Sequence, residues 1–553
     1  MVRKVNPQAV TTIVGVLICV ILGSISIWRT IVNENSINSR AQKILSKFTL
    51  EQKVGQLFLM DLSGLTLTDS DKAILKKYKL GNFILMGRNL GTIEETAAYS
   101  KSLQEYSMKE FGIPAFISID QEAGSILRMY KNCTVFPGAM SLAATDSLDI
   151  AKNISKLMAT ELRAAGVNMN HAPTSDVNSN PKNPIIGDRS FGDNPENVSK
   201  FVDYYIQGHH EAGILTTSKH FPGHGATSVD SHKALPSIDH NMTQLLEIDI
   251  PPFQQAVKSG VDSIMVGHLI TPIDNESACT QSKKCVDFAR NQLKYDGILI
   301  TDSMQMKAIK QEDLNESIAT AIKSGIDLIC DCGGDIVGTD PYYSVIAYIV
   351  EQVQKNIIPE KIIDQAALRI IKTKLAMLPA TDPSSADVES DKKEAQRVAQ
   401  LASTLAKDTN KLIPLDTTKK VAVIEGVTET TLITKTLSDI LKNDIPNLQV
   451  YKFDYNTTLE DIAQAKDLAS KVDTVVLVPN RAQYYRKQQW LIGNVTQANK
   501  NTISVSITDP YEVMAFDFPT HIIGYDRTQV TLNAAYNVLV GKANATGKVP
   551  FQY

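Results

Sequence analysis

Residues 197–221 read NVSKFVDYYIQGHHEAGILTTSKHF. Asn197–Gly213 is an amphipathic, helix-patterned stretch, and the run that follows, Thr217–Phe221, is strand-like and carries Lys219 and His220. The same alternation recurs on both sides. Further apolar runs lie at Gly55–Asp61, Asn82–Met86, Ala115–Asp120, Asn168–Pro173, Ser263–His268, Gly297–Asp302 and Asp327–Cys330, separated by amphipathic stretches such as Ile150–Gly166. Eight strand-plus-helix units imply an α/β fold with a parallel sheet closed into a (β/α)8, TIM-like barrel. Asp120, Asp176, Lys219, His220, His268 and Asp302 all fall at or just after the C-terminal end of a predicted strand. That face of such a barrel carries the chemistry. One such residue alone can be a helix cap; six at the same register point to a site.

The 553 residues are 43% hydrophobic and 21% charged, with 56 basic against 60 acidic side chains and a net charge of −4. This excludes a disordered chain and gives no electrostatic footprint for nucleic acid. Six cysteines are too few for a disulfide scaffold, and none has zinc-ribbon spacing; Cys279 with Cys285 is the natural local pair if the chain is exported.

The sequence divides into four parts. Val5–Trp28 holds no charge and follows Arg3 and Lys4, so residues 1–34 are expected to be a cytoplasmic N-terminus and a single membrane anchor, with the body outside the cell membrane. A cleaved signal peptide is the competing expectation, although no Ala-x-Ala site follows the run. Residues 35–378 form the barrel. The Pro-, Ser- and Asp-rich stretch 379–393, PATDPSSADVESDKK, is expected to be a linker. Over 394–553 the rhythm restarts with Val421–Ile424, Thr474–Val478, Thr502–Ile507 and His521–Gly524, implying a smaller three-layer α/β sandwich. GKANATGKVP (541–550) imitates a phosphate loop, but five residues separate Gly541 from Gly547 and Val549 stands where a hydroxyl is needed.

Six of the nine histidines lie between His209 and His240, most densely in KHFPGHG (219–225). His220 and His224 are four apart, yet Pro222 and Gly223 oppose a helix between them and no Glu follows His220, so no metal site is expected. Asp230 and His232, two apart beyond a Gly-rich loop, suit a mobile acid/base element. The carboxylate would orient the imidazole, which exchanges protons near neutral pH.

KHFPGHG followed after four residues by DSH (230–232) closely resembles the signature of bacterial β-N-acetylglucosaminidases of glycoside hydrolase family 3. KVGQLF (53–58), FISIDQEAG (116–124), NMNHAPTSDVN (168–178), IIGDRSFG (185–192), IMVGH (264–268) and ILITDSMQMKAI (298–309) match in the same order. Weaker similarity continues through KLIPL (411–415), DPYEV (509–513) and TGKVPF (546–551), as in two-domain members.

The resemblance implies a retaining mechanism through a covalent glycosyl-enzyme, with Asp302 as nucleophile and His232, supported by Asp230, as acid and then base. It implies substrate contacts from Asp120, Arg189, Lys219 and His220. Arg128 is included in that set, as are Asp176 and His268, whose expected role is support of the pocket; His224 is expected to organise the loop. For Arg189 the alternative is a salt bridge that stabilises its loop. No cofactor or metal is needed by this mechanism. Peptidoglycan fragments ending in N-acetylglucosamine are the implied carbohydrate substrate. Two readings stay open: phosphate instead of water as acceptor, and a non-catalytic wall-binding protein on the same fold. A β-glucosidase is less favoured because the Asp-x-His loop marks the N-acetylglucosaminidase branch. Where the family reads DQEGGRV, this chain has Ala123 for a glycine and Ser125 for an arginine, which bears on the fit near the sugar.

Overall fold

The computed structural model describes residues 36–309, 313–333, 337–427 and 432–553. Each of the eight apolar runs overlaps a strand: β1 (Phe58–Met60), β2 (Asn82–Leu85), β3 (Phe116–Ile119), β4 (Met169–Asn170), β5 (Leu215–Phe221), β6 (Ser263–Val266), β7 (Ile298–Thr301) and β8 (Ile329–Asp331). All pair in parallel, in the order β7-β6-β5-β4-β3-β2-β1-β8. A bridge between Ile300 and Leu328, with the Thr301 N–H donating to Leu328 O at 3.0 Å, brings β7 against β8 and closes the ring. Nearly every strand position is buried, since helices cover the outside and side chains fill the inside. That is why most of the strands read as near-continuous apolar runs, while β5 buries Thr216, Thr217, Ser218, Lys219 and His220. The first run starts late: Gly55 still belongs to the helix Leu50–Gly55, where a Cβ would lie 2.2 Å from Lys79 O.

The second domain is a six-stranded sheet. To the four expected strands, β10 (Val421–Gly426), β12 (Thr474–Val478), β13 (Thr502–Ser506) and β14 (Thr520–Ile523), the structure adds β9 (Thr404–Asp408) and β11 (Gln449–Phe453). The order is β11-β10-β12-β13-β14-β9, parallel except for β9. Val421 and Val423 pack with Leu437, Leu441 and Leu532 on one face. Ala422 and Ile424 pack with Ile462, Ala465 and Leu491 on the other, so helices cover both faces.

The stretch read as a linker differs from expectation. It makes a short turn at Pro383–Ser385 and from Val388 is already the helix Val388–Ala402, capped by Asp387. Asp387 and, in the acidic first turn, Glu389 and Asp391 are part of what made the stretch read as polar. Its Ala395 and Val398 enter the barrel's core, while Ala402 joins Met140, Tyr525 and Phe551 between the domains. The phosphate-loop imitation is packing: no helix follows Gly547, which lies where a Cβ would meet Ala402 O at 1.9 Å. The anchor expected within residues 1–34 lies outside the described residues, and no described helix is long and apolar enough to cross a membrane. Cys279 and Cys285 are joined in a disulfide.

Candidate active site

The C-terminal strand ends open into a cleft of about 540 Å³. Asp120, Arg128, Arg189, Lys219, His220, Asp230, His232 and Asp302 all line it, so residues spread over 183 positions of sequence converge on one space.

Asp302 follows β7 directly. One carboxyl oxygen accepts the Ser303 N–H at 2.7 Å. Burial opposes its ionisation, but His220 and His268, helped by that N–H, hold its carboxyl below the usual carboxylate range. Asp302 is therefore an anion at neutral pH, the form a nucleophile needs.

At the rim, His232 Nδ1 lies 3.0 Å from Asp230 Oδ1, and the His232 backbone N–H donates to the same oxygen at 2.9 Å. The carboxylate thus fixes the ring, leaving Nε2 free of it. The His232 side chain is 58% exposed, against 17% for Asp230, so the imidazole can exchange protons with solvent. Burial works against the Asp230 carboxylate, but the His232 N–H and ring keep it below its ordinary value.

The opposite wall is a charge network. Lys219 Nζ lies 2.9 Å from Asp120 Oδ1 and 2.7 Å from Glu122 Oε1. Arg189 grips Glu122 in bidentate fashion, Nε to Oε2 at 2.9 Å and Nη2 to Oε1 at 2.8 Å, and its Nη1 donates to Ile185 O at 3.0 Å. Burial resists both acids. It is overcome at Glu122 by Arg189 and Lys219, and at Asp120 by Lys219, His171 and Arg128, so both stay ionised. Arg189 forms the salt bridge and also lines the cleft. Glu122, at its centre, carried no assigned role in the sequence reading; its signal was its place in FISIDQEAG, two residues past Asp120. Arg128 lines the cleft with its Nε unpartnered among the described residues.

Asp176 and His268, grouped above with the substrate contacts, do not reach the cleft wall. Both are fully buried. Asp176 bonds His220 Nδ1 at 2.7 Å and accepts the backbone N–H of His220 and His224. His268 has both ring nitrogens engaged, Nδ1 with Thr280 Oγ1 and Nε2 with Ser303 O, each at 2.9 Å. They are supports for the groups that do reach it. His224 Nε2 lies 3.1 Å from Ser231 Oγ, tying the β5 end to the Asp230–His232 loop. His220 and His224 therefore turn to different partners.

Around the departures, Ala123 adopts φ +74° and Gly124 φ +56°, with Gly124 so close to Gly138 that a Cβ would sit 2.7 Å from its Cα. Ser125 donates to the Asp188 carboxylate beside Arg189.

The Glycosyl hydrolase family 3 N terminal domain is matched over residues 49–373, more than half of the chain. The chain belongs to glycoside hydrolase family 3. It is a glycoside hydrolase. The chain is 31% identical over 280 residues to a β-hexosaminidase of Idiomarina loihiensis, covering 50% of this chain and 83% of that protein. A solved family 3 β-N-acetylglucosaminidase from Paenibacillus sp. str. FPU-7 is similar over 91% of this chain and 99% of its own, with a TM-score of 0.83 at 29% identity. A β-N-acetylhexosaminidase from Beutenbergia cavernae matches at 26% identity and a TM-score of 0.55, over 60% of this chain and 99% of its own.

Proposed function

We propose that this family 3 hydrolase is an exo-acting, retaining β-N-acetylglucosaminidase that removes non-reducing terminal N-acetylglucosamine, with peptidoglycan fragments as its substrate. The observation that carries the reading is one cleft lined both by an ionised carboxylate, Asp302, and by a hydrogen-bonded Asp230–His232 pair. Asp302 attacks the anomeric carbon as His232 Nε2 protonates the departing oxygen, forming a glycosyl-aspartate. The neutral imidazole then takes a proton from water, which displaces the aspartate and restores the β configuration. Asp120 accepts hydrogen bonds from sugar hydroxyls, while Lys219, Arg189, Arg128 and His220 present donors around the same ring. The names of the similar enzymes support N-acetylhexosaminide specificity. A single-pass anchor with the body outside the membrane is supported by the uncharged run after Arg3 and Lys4 and by the Cys279–Cys285 disulfide.

The test is chromophore release from an aryl N-acetyl-β-glucosaminide, beside the corresponding glucoside, in phosphate and phosphate-free buffers. Asp302→Ala should abolish turnover, and His232→Ala should lower it about 10²- to 10⁴-fold. The first-formed sugar should be the β anomer by NMR. Turnover that requires phosphate would replace hydrolysis by phosphorolysis, and an α product would remove the glycosyl-aspartate.

A further inference from the structure

We propose that Cys330 and Cys332 form a closable dithiol in the cleft wall, which a hydroperoxide joins into a disulfide, slowing glycoside cleavage. Among the described residues, Cys133, Cys330 and Cys332 are the cysteines outside a disulfide. Cys330 lies on β8 and Cys332 directly follows it; alternate residues of an extended chain share a face, so both side chains turn to the same side. Their Sγ atoms are 3.6 Å apart, and both residues line the space that holds Asp302.

The backbone around this pair holds the loop that carries Asp302. Met304 N–H donates to Cys330 O at 2.9 Å, and Ser303 Oγ donates to Cys332 O at 2.8 Å. Gln305 Nε2 donates to the intervening Asp331 at 2.6 Å. A disulfide needs its sulfurs about 2.05 Å apart, so closure draws them together by about 1.5 Å. Alternate positions in an extended strand stand about 6.6 Å apart at Cα, near the upper end of what a disulfide spans, so the backbone must also contract. That contraction moves the carbonyls that fix residues 303 and 304, and with them Asp302. A displacement of about 1 Å at a reacting group costs on the order of 10²-fold in rate.

The chemistry balances with the hydroperoxide alone. Cys332 is 7% exposed and Cys330 2%, so the Cys332 sulfur meets the oxidant first. It attacks one peroxide oxygen, the O–O bond breaks, and water, or an alcohol from an organic peroxide, leaves behind a sulfenic acid. Cys330 sulfur then attacks Cys332 sulfur, the S–O bond breaks and water departs. Two thiols lose two electrons and two protons, and the peroxide gains them. The neighbouring thiol and burial push Cys330 up, which keeps it protonated until that second step.

The consequence for rate rests on Asp302 as nucleophile, so the experiment reads thiols and turnover separately. The full chain is treated with hydrogen peroxide, alkylated with N-ethylmaleimide and digested with trypsin. Residues 324–355 form one tryptic peptide holding both cysteines and no others. The expected result is that this peptide loses two hydrogens and takes no alkyl group while kcat falls at least about tenfold. Dithiothreitol should restore both. Cys332→Ser, compared with its own untreated rate, should resist peroxide. The proposal is overturned by a peptide still alkylated twice, by closure at unchanged kcat, or by Cys332→Ser losing activity as fast, which would implicate the cleft methionines. A chain that closes the disulfide but never cleaves the glycoside overturns the proposed function instead.

Discussion

Glu122 is where several single-residue effects meet. It is 7% exposed and bonded to both Lys219 and Arg189, so removing its charge leaves two buried cations with less than their full compensation. Glu122→Gln should cost about 3 kcal/mol in denaturant unfolding at pH 7. The sign with pH follows from its depressed carboxyl. The stabilisation is complete above the unfolded glutamate value of about 4.3 and is lost as pH falls through the lower folded value. The gap between wild type and Glu122→Gln should therefore narrow as pH drops below about 4; a gap constant down to pH 2 would contradict the charge network. Ala123 makes a smaller point. At φ +74° it stands in the left-handed region, where glycine costs nothing and an L side chain costs roughly 1–2 kcal/mol. Glycine gives part of this back as unfolded-chain entropy, so Ala123→Gly should stabilise by about 0.5–1 kcal/mol, read as a rise in the denaturant midpoint. The family's glycine here answers a backbone need, and this chain has taken on the strain.

At the scale of elements, buried strands announced themselves and edge strands did not. β10 and β12 are near-continuous apolar runs because both faces are covered, and β13 and β14 interleave fully buried Thr, Ser and His with Ile and Val. β11 has exposed and half-buried positions at Gln449–Lys452, and β9 pairs on one side only, so polar residues interrupt both and no run stands out. The barrel was readable from the alternation of apolar runs with helix-patterned stretches, and the polar residues at five strand ends marked the face that carries the site. Which of those residues face the cleft was not: Asp176 and His268, like Asp120 and Lys219, lie at or beyond the C-terminal ends of their strands, and only packing turns them inward. The β6–β7 pair shows the consequence. His268 Nε2 holds Ser303 O while the Ser303 N–H holds Asp302, so His268 positions the loop after β7 without lining the cleft. His268→Ala should lower kcat at least about tenfold with a much smaller change in KM. His268→Gln, whose amide can still donate to Ser303 O, should recover part of it. Equal losses in both variants would reduce His268 to packing.

At the scale of the whole molecule, a turn of the second domain holds the segment that leads into the cleft. Arg481 Nη2 donates to Pro184 O at 2.6 Å, Tyr484 OH to Asn183 O at 2.9 Å and Gln483 Nε2 to Pro181 O at 3.1 Å. These three carbonyls belong to the segment entering the Arg189 loop. Asn183 extends the chain of contacts, accepting the Ile185 and Ile186 N–H groups and donating to His224 O, while Ile185 O receives Arg189 Nη1. No single feature of RAQYY (481–485) signals this, because its partners are backbone carbonyls about 300 residues away. Loosening the turn should free the 181–189 segment and weaken the hold on the sugar proposed above for Arg189. That hold acts on bound substrate and transition state alike, so the effect belongs mainly in KM. Tyr484→Phe removes one hydrogen bond worth about 1 kcal/mol and should raise KM several-fold. Arg481→Ala combined with Tyr484→Phe should raise it by an order of magnitude or more, with kcat changed less than threefold and the unfolding transition of the barrel retained. A variant that loses kcat at unchanged KM would mean the turn acts on the Asp302 side of the cleft, and one that changes neither would leave the second domain as a passive buttress.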